Sequence, residues 1–159
     1  MKPIGKFKSI CQTHNIQLAF LFGSMAEAGY GFLLEKEDLS PYDPHSDLDL
    51  GVVFLNPEIF KNTRTKLRLY GSLLEDLSAL FHPFRLDLVF LEETDYLVQY
   101  EAIKGVNVFK QGNTILADYV ELVLKYGADW KFEVDRFHQE VMEAIREGQV
   151  VVDYNKIAR

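Results

Sequence analysis

Five residues in three short segments carry the chemistry open to this chain. Gly23-Ser24 follows the apolar run Leu18-Ala19-Phe20-Leu21-Phe22. Asp47 and Asp49 lead into Leu50-Gly51-Val52-Val53-Phe54-Leu55, and Asp87 lies inside Phe84 to Leu91. Alternate residues of a strand project to the same face, so Asp47 and Asp49 share one face while Leu48 and Leu50 share the other. Asp87 stands the same way between Leu86 and Leu88. If the two strands are neighbours, three carboxylates converge, and their repulsion raises at least one pKa unless a cation relieves it. Hard oxygen donors without a Cys/His cluster select Mg²⁺ or Mn²⁺ over Zn²⁺. The Gly-Ser turn is the complement: Gly lets backbone approach a phosphate, and a following helix start offers free N–H groups and a positive dipole end. Such a site holds a nucleoside triphosphate. Asp47 and Asp49 bridging two metals suit an in-line displacement at the α-phosphate, with pyrophosphate leaving. Asp87 would hold the metal near the attacking hydroxyl and help remove its proton.

The elements that must position these groups follow from periodicity. Lys2 to His14 reads as a helix and Ile16 to Phe22 as a strand buried on both faces. Ser24 is placed to cap the next helix start. Gly29 to Ser46, with Gly31, Pro41, Pro44 and the charge run Glu35-Lys36-Glu37-Asp38, reads as a long loop with at most a short helical piece. Leu48 to Leu55 is the second strand, and Pro57 opens a helix to about Leu80 whose apolar stripe includes Leu67, Leu73 and Leu77. His82-Pro83 breaks it, and Phe84 to Leu91 is the third strand. A helix from Asp95 to Lys104 ends at Gly105, Val106 to Phe109 is extended, and a long helix runs from Asn113 to about Arg146. Val150-Val151-Val152 suits a terminal strand. The class is α/β, a small mixed sheet flanked by helices, with residues 1–110 as core and 111–159 as a C-terminal helical extension. The aromatic side of that extension (Tyr119, Tyr126, Trp130, Phe137) must be covered by the core or by a partner.

Bulk properties narrow the function. A chain of 159 residues with 48% hydrophobic and 26% charged content suits one ordinary globular domain. No run is long enough to span a bilayer, and the N-terminus has no signal-peptide core. The single Cys11 fits a reducing cytoplasm. A net charge of −7 argues against non-specific nucleic-acid binding. The densest basic stretch, Lys61, Arg64, Lys66 and Arg68, reads as a solvated helix face.

Leu21-Phe22-Gly23-Ser24 followed by Ser46-Asp47-Leu48-Asp49-Leu50-Gly51-Val52-Val53 resembles the signature of the DNA polymerase beta-like nucleotidyltransferases, with Asp87 where that superfamily has its third carboxylate. The size is most similar to the minimal, antitoxin-type members, and the resemblance spans roughly Ile16 to Phe109. It implies the nucleotidyltransferase fold and a Mg²⁺-dependent (or Mn²⁺-dependent) transfer of a nucleoside monophosphate to a hydroxyl. ATP is the expected donor, Asp47, Asp49 and Asp87 the metal-binding and catalytic residues, and Gly23 and Ser24 the phosphate-holding pair. It also implies a partner, a small helical toxin that such proteins bind and in some cases adenylylate on tyrosine; the long helix equally suits a homo-oligomer. In one respect the sequence departs from the pattern: Glu27 stands where members usually carry a basic residue, leaving Lys36 or His45 as candidates for the missing charge.

Other readings follow from the same residues. The Asp pair could cap a turn, Asp87 could pair with Arg85, and His45 could be a loop residue of no special role. A protein that acts only by binding, or a pseudoenzyme with the fold but no turnover, is the alternative to an active transferase.

Overall fold

A computed structural model describes residues 1–36 and 43–148. The elements in chain order are α1 (Pro3–Thr13), β1 (Ile16–Phe22), α2 (Ala26–Leu33), β2 (Leu48–Phe54), a 3₁₀ turn (Pro57–Lys61), α3 (Thr63–Phe81), β3 (Leu86–Phe90), a second 3₁₀ turn (Leu91–Glu93), α4 (Tyr96–Lys104), β4 (Val106–Lys110) and α5 (Asn113–Arg146). The four strands form one mixed sheet in the order β3-β2-β1-β4. β1 is antiparallel to both neighbours, and β2 and β3 are parallel. This is the expected α/β class, with the long helix following the last strand.

The sheet is covered on both faces, which explains why β1 is apolar throughout rather than alternating. Ala19 and Leu21 join Leu48, Leu50 and Val52 in the larger core, against Phe7 of α1, Leu33 of α2 and Leu73, Leu77 and Phe81 of α3. Leu18 and Phe20 face the other way, with Leu91 and Ala102, and are closed over by Ile115, Leu116 and Tyr119 of α5. Asp49 is the cross-strand partner of Phe22, which packs on this second side. The face of the sheet that carries Asp49 is therefore the one that α4 and α5 cover.

Several boundaries differ from the sequence reading. α2 runs through Leu33, so Gly29 and Gly31 lie in a helix and not in a loop. The reason is contact: a Cβ on Gly29 would stand 2.6 Å from Leu48 Cδ1, so only glycine lets α2 come this close to β2. Ser24 does not cap α2, because Met25 holds that position without any capping side-chain bond. The helix expected from Pro57 is interrupted at Asn62, whose Oδ1 accepts from Thr65 N–H at 3.1 Å and starts α3 afresh. Leu67, assigned to the apolar stripe, is 62% exposed. The β3 strand begins at Leu86, two residues after the expected start. Val150 to Val152 lie outside the described residues.

Helix α5 is covered by the core only over its first half. Val123 and Gly127 are its buried residues, and a Cβ at Gly127 would stand 2.9 Å from Tyr100 Cβ of α4. Trp130, Phe132 and Phe137 are 49%, 65% and 68% exposed, so the aromatic side is left largely uncovered by the described residues. Among the described residues no helix is long and apolar enough to cross a membrane.

Candidate active site

Strand direction brings the predicted site residues to one end of the sheet. The antiparallel register pairs Phe22, the last residue of β1, with Asp49 near the start of β2. The parallel register pairs Asp49 with Asp87. Gly23, Asp49 and Asp87 thus stand side by side across three strands, with Asp47 and Ser24 at the margin. The β2–β3 pairing also carries Leu48 N–H to the Arg85 carbonyl at 2.8 Å, which fixes Asp47 beside Arg85.

Gly23 adopts φ +76°, a left-handed conformation that favours glycine. A side chain there would also collide with Asp49: its Cβ would lie 2.4 Å from Oδ2. The turn that ends β1 is thereby packed onto the central carboxylate. Ser24 follows, exposed, with its hydroxyl not used in capping.

Asp49 is half-buried, and its carboxyl pKa is pushed up to about 6. Desolvation is the largest cause, followed by the charge of Asp87, a side-chain hydrogen bond with Asp87 and the charge of Asp47. Like charges facing one another in a half-buried cleft favour the protonated form of one of them, and a cation between them relieves the repulsion. Asp87 and Asp47 are exposed. Asp47 does not join the Asp49–Asp87 pair directly. Its Oδ1 accepts from Arg85 Nε, while Arg85 Nη2 donates to the His45 carbonyl at 3.1 Å. The base beside the site therefore pairs with Asp47, and not with Asp87 as one sequence reading had it.

The donor set fits a hard divalent cation in its chemistry: oxygen ligands only, two of them in contact, a third within electrostatic reach. As arranged, no group of three acidic, His or Cys side chains among the described residues is close enough to hold an ion. Asp47 is paired with Arg85 in this arrangement.

Beside Gly23 and Ser24 lies a cleft of about 540 Å³, also lined by Glu27, Glu101, Lys104 and Gly105. Lys36 and His45 do not line it; Lys36 Nζ sits 5.7 Å from the Tyr30 ring instead. Lys104 does, and the sequence reading missed it. Its position is forced by Gly105, where a Cβ would stand 2.1 Å from the Leu21 carbonyl oxygen. The end of α4 is thus pressed against the end of β1, which brings Lys104 to the wall of the cleft, its Nζ paired with Glu101 at 3.1 Å and 5.0 Å from the Tyr100 ring centroid. No signal in the spacing shows it, because Lys104 reaches the cleft only through the pairing of β4 with β1.

A mixed four-stranded sheet with this Gly-Ser turn and paired strand carboxylates defines a nucleotidyltransferase fold. The chain matches the family model of polymerase beta nucleotidyltransferases over residues 5–114, and it belongs to that family of nucleotide-transferring enzymes. Solved structures agree in fold. One, described as a toxin–antitoxin with AMP-PNP, is 15% identical, covers 87% of this chain and 98% of its own, and has a TM-score of 0.58. A second, tri-AMPylated Shewanella oneidensis HEPN toxin in complex with MNT antitoxin, is 15% identical with a TM-score of 0.56, covering 88% of this chain and 96% of its own. A third, described as a toxin–antitoxin MntA-HepT complex, is 14% identical and covers 88% and 97%, with a TM-score of 0.55. No curated protein sequence matches the chain.

Proposed function

We propose that this protein transfers AMP from ATP to a hydroxyl of a helical partner protein, in the manner of an antitoxin that modifies its toxin. The observation that carries the reading is the side-by-side placement of Gly23, Asp49 and Asp87 across three strands. The family match and a similar fold seen with AMP-PNP and with an AMPylated toxin support it.

In this reading Asp49 and Asp87 hold the divalent cation, Mg²⁺ or Mn²⁺, with Asp47 joining them on release from Arg85. When bound, the cation neutralises phosphate charge and lowers the pKa of the acceptor hydroxyl. The rest is done by the chain. Gly23 leaves its backbone open to a phosphate, Ser24 donates its hydroxyl, and Lys104 supplies the positive charge absent at Glu27. Asp87, the most exposed member of the pair, takes the acceptor proton as the new phosphoester bond forms and pyrophosphate departs.

Residues 1–110 act as the catalytic core and 111–159 as the partner-binding extension, because α5 carries the largest uncovered aromatic residues. The setting is the cytoplasm, as the lone Cys11 suggests. The test uses ATP labelled at the α- or the γ-phosphate with a co-expressed helical partner. Label is expected on the partner from the α-position only, and none with Asp49→Ala. A partner that is bound but never labelled would favour the binding-only alternative.

A further inference from the structure

At the other end of α4 from Lys104, a second cleft of about 580 Å³ opens between the start of α4 and the middle of α5. Its walls are aromatic. Tyr96 and Tyr126 stack with centroids 5.2 Å apart, and Trp130 lies alongside, half-exposed. Its rim is acidic, with Glu92, Asp95, Asp129 and Glu133; among the described residues no Lys, Arg or His lines it, and Lys125 lies with Nζ 5.2 Å from the Tyr126 ring centroid. The acids differ in their existing duties. Glu92 accepts Phe54 N–H at 3.0 Å, Asp95 caps α4 through Val98 N–H at 3.0 Å, and Glu133 meets Arg136 from outside the cleft. Asp129 is in no ion pair among the described residues.

We propose that this cleft receives an arginine side chain of the partner protein. An anionic ligand would face the four carboxylates, and a purely apolar segment would strip them of water without return. A guanidinium satisfies both halves of the site. Its plane stacks on the half-exposed Trp130 ring, its N–H fork reaches Asp129 and Glu133, and its methylene stem lies on the apolar wall beside the Tyr96–Tyr126 pair. A protein source is favoured over a free small cation because the cleft continues along α5. Leu122, Tyr126, Trp130, Glu133 and Phe137 follow at helical spacing, with Leu122 46% and Phe137 68% exposed. That stripe is far larger than a small cation would cover.

The inference rests on the reading that the chain works on a protein partner, but not on the transfer chemistry. Trp130 is the only tryptophan, so its fluorescence in the full-length protein reports this cleft alone. Titration with N-acetylarginine amide is expected to change that signal saturably. N-acetylcitrulline amide, uncharged and nearly isosteric, is expected to bind at least fivefold more weakly. An Asp129→Asn/Glu133→Gln double variant is expected to lose the response while still binding AMP-PNP with cation as the parent does. An equal response to both amides, no response to either, tighter binding of spermidine than of the arginine amide, or a Trp130 signal set by protein concentration alone would each overturn the proposal. AMP-PNP binding is read in the same samples, so failure of the arginine response with nucleotide binding intact counts against this inference only.

Discussion

Gly23 and Asp49 are packed so closely that a single methyl group on the glycine would stand 2.4 Å from the carboxylate oxygen Oδ2. The Gly-Ser turn and the Asp49 carboxylate are therefore one unit, held by the Phe22–Asp49 register of β1 and β2. Anything that widens the turn displaces the acid.

Gly23→Ala tests this coupling. The left-handed φ of +76° and the Asp49 collision both oppose the substitution. The expected cost is about 1–2 kcal/mol of stability, and AMP-PNP affinity should fall at least tenfold as Asp49 rotates away. Calorimetry and thermal melting check both. A variant that melts lower but binds nucleotide normally would separate the turn from the site.

The pH dependence of cation binding follows from the Asp49–Asp87 pair. Folding raises the Asp49 pKa from 3.8 to about 6, so the folded chain keeps this proton to higher pH than the unfolded chain does. Stability from this term is fully present below about pH 4 and is lost as pH rises through 6. Cation binding runs the other way, because it needs both carboxylates ionised. Mg²⁺-dependent nucleotide binding should weaken steeply below pH 6. In Asp87→Asn the Asp49 carboxyl should titrate lower, as carboxyl NMR would show. An unchanged midpoint would mean that Asp87 does not set it.

Glu92 carries a second raised pKa, from 4.5 to about 7, with desolvation of its carboxyl group as the leading cause. The residue keeps an exposed side, so solvent discounts the penalty. Glu92→Gln retains an acceptor for Phe54 N–H and removes the charge. It should be more stable than the parent above pH 7, by about 1 kcal/mol, and show no advantage below about pH 4.5. A variant less stable at pH 8 would contradict this.

Lys104 is predicted to act on binding and not on folding. Its Nζ pairs with Glu101 at 3.1 Å on the surface and contributes little to stability. Lys104→Ala should weaken AMP-PNP binding about tenfold, a single charge-assisted contact, with the melting temperature unchanged. Lys104→Arg should recover most of the loss. Glu27→Arg, on the same cleft, should tighten binding.

Much of the fold was legible because its signals are local. The β1 strand and the long helix end where apolar periodicity and flanking residues place them, and Gly105 ends α4 as expected, while its cap is Asp95, one residue past the expected Thr94 start. What failed was decided by tertiary contact. Gly29 and Gly31 look like loop residues until Leu48 is seen against them, and Leu67 is apolar on a face that nothing covers. In the site, period-two alternation put Asp49 and Leu50 on opposite faces, but strand order alone made Asp87 the neighbour of Asp49. The Arg85–Asp47 pair and the approach of Lys104 depend on registers that spacing does not encode.

The central claim is that Asp49 and Asp87 hold a cation that in turn holds a nucleotide. Calorimetric titration of the full chain with AMP-PNP, with and without Mg²⁺, tests it most directly. The account predicts one nucleotide bound per chain only when Mg²⁺ is present, and none detectable in Asp49→Asn under the same conditions. Binding of equal strength without Mg²⁺, or unaltered by Asp49→Asn, would contradict it.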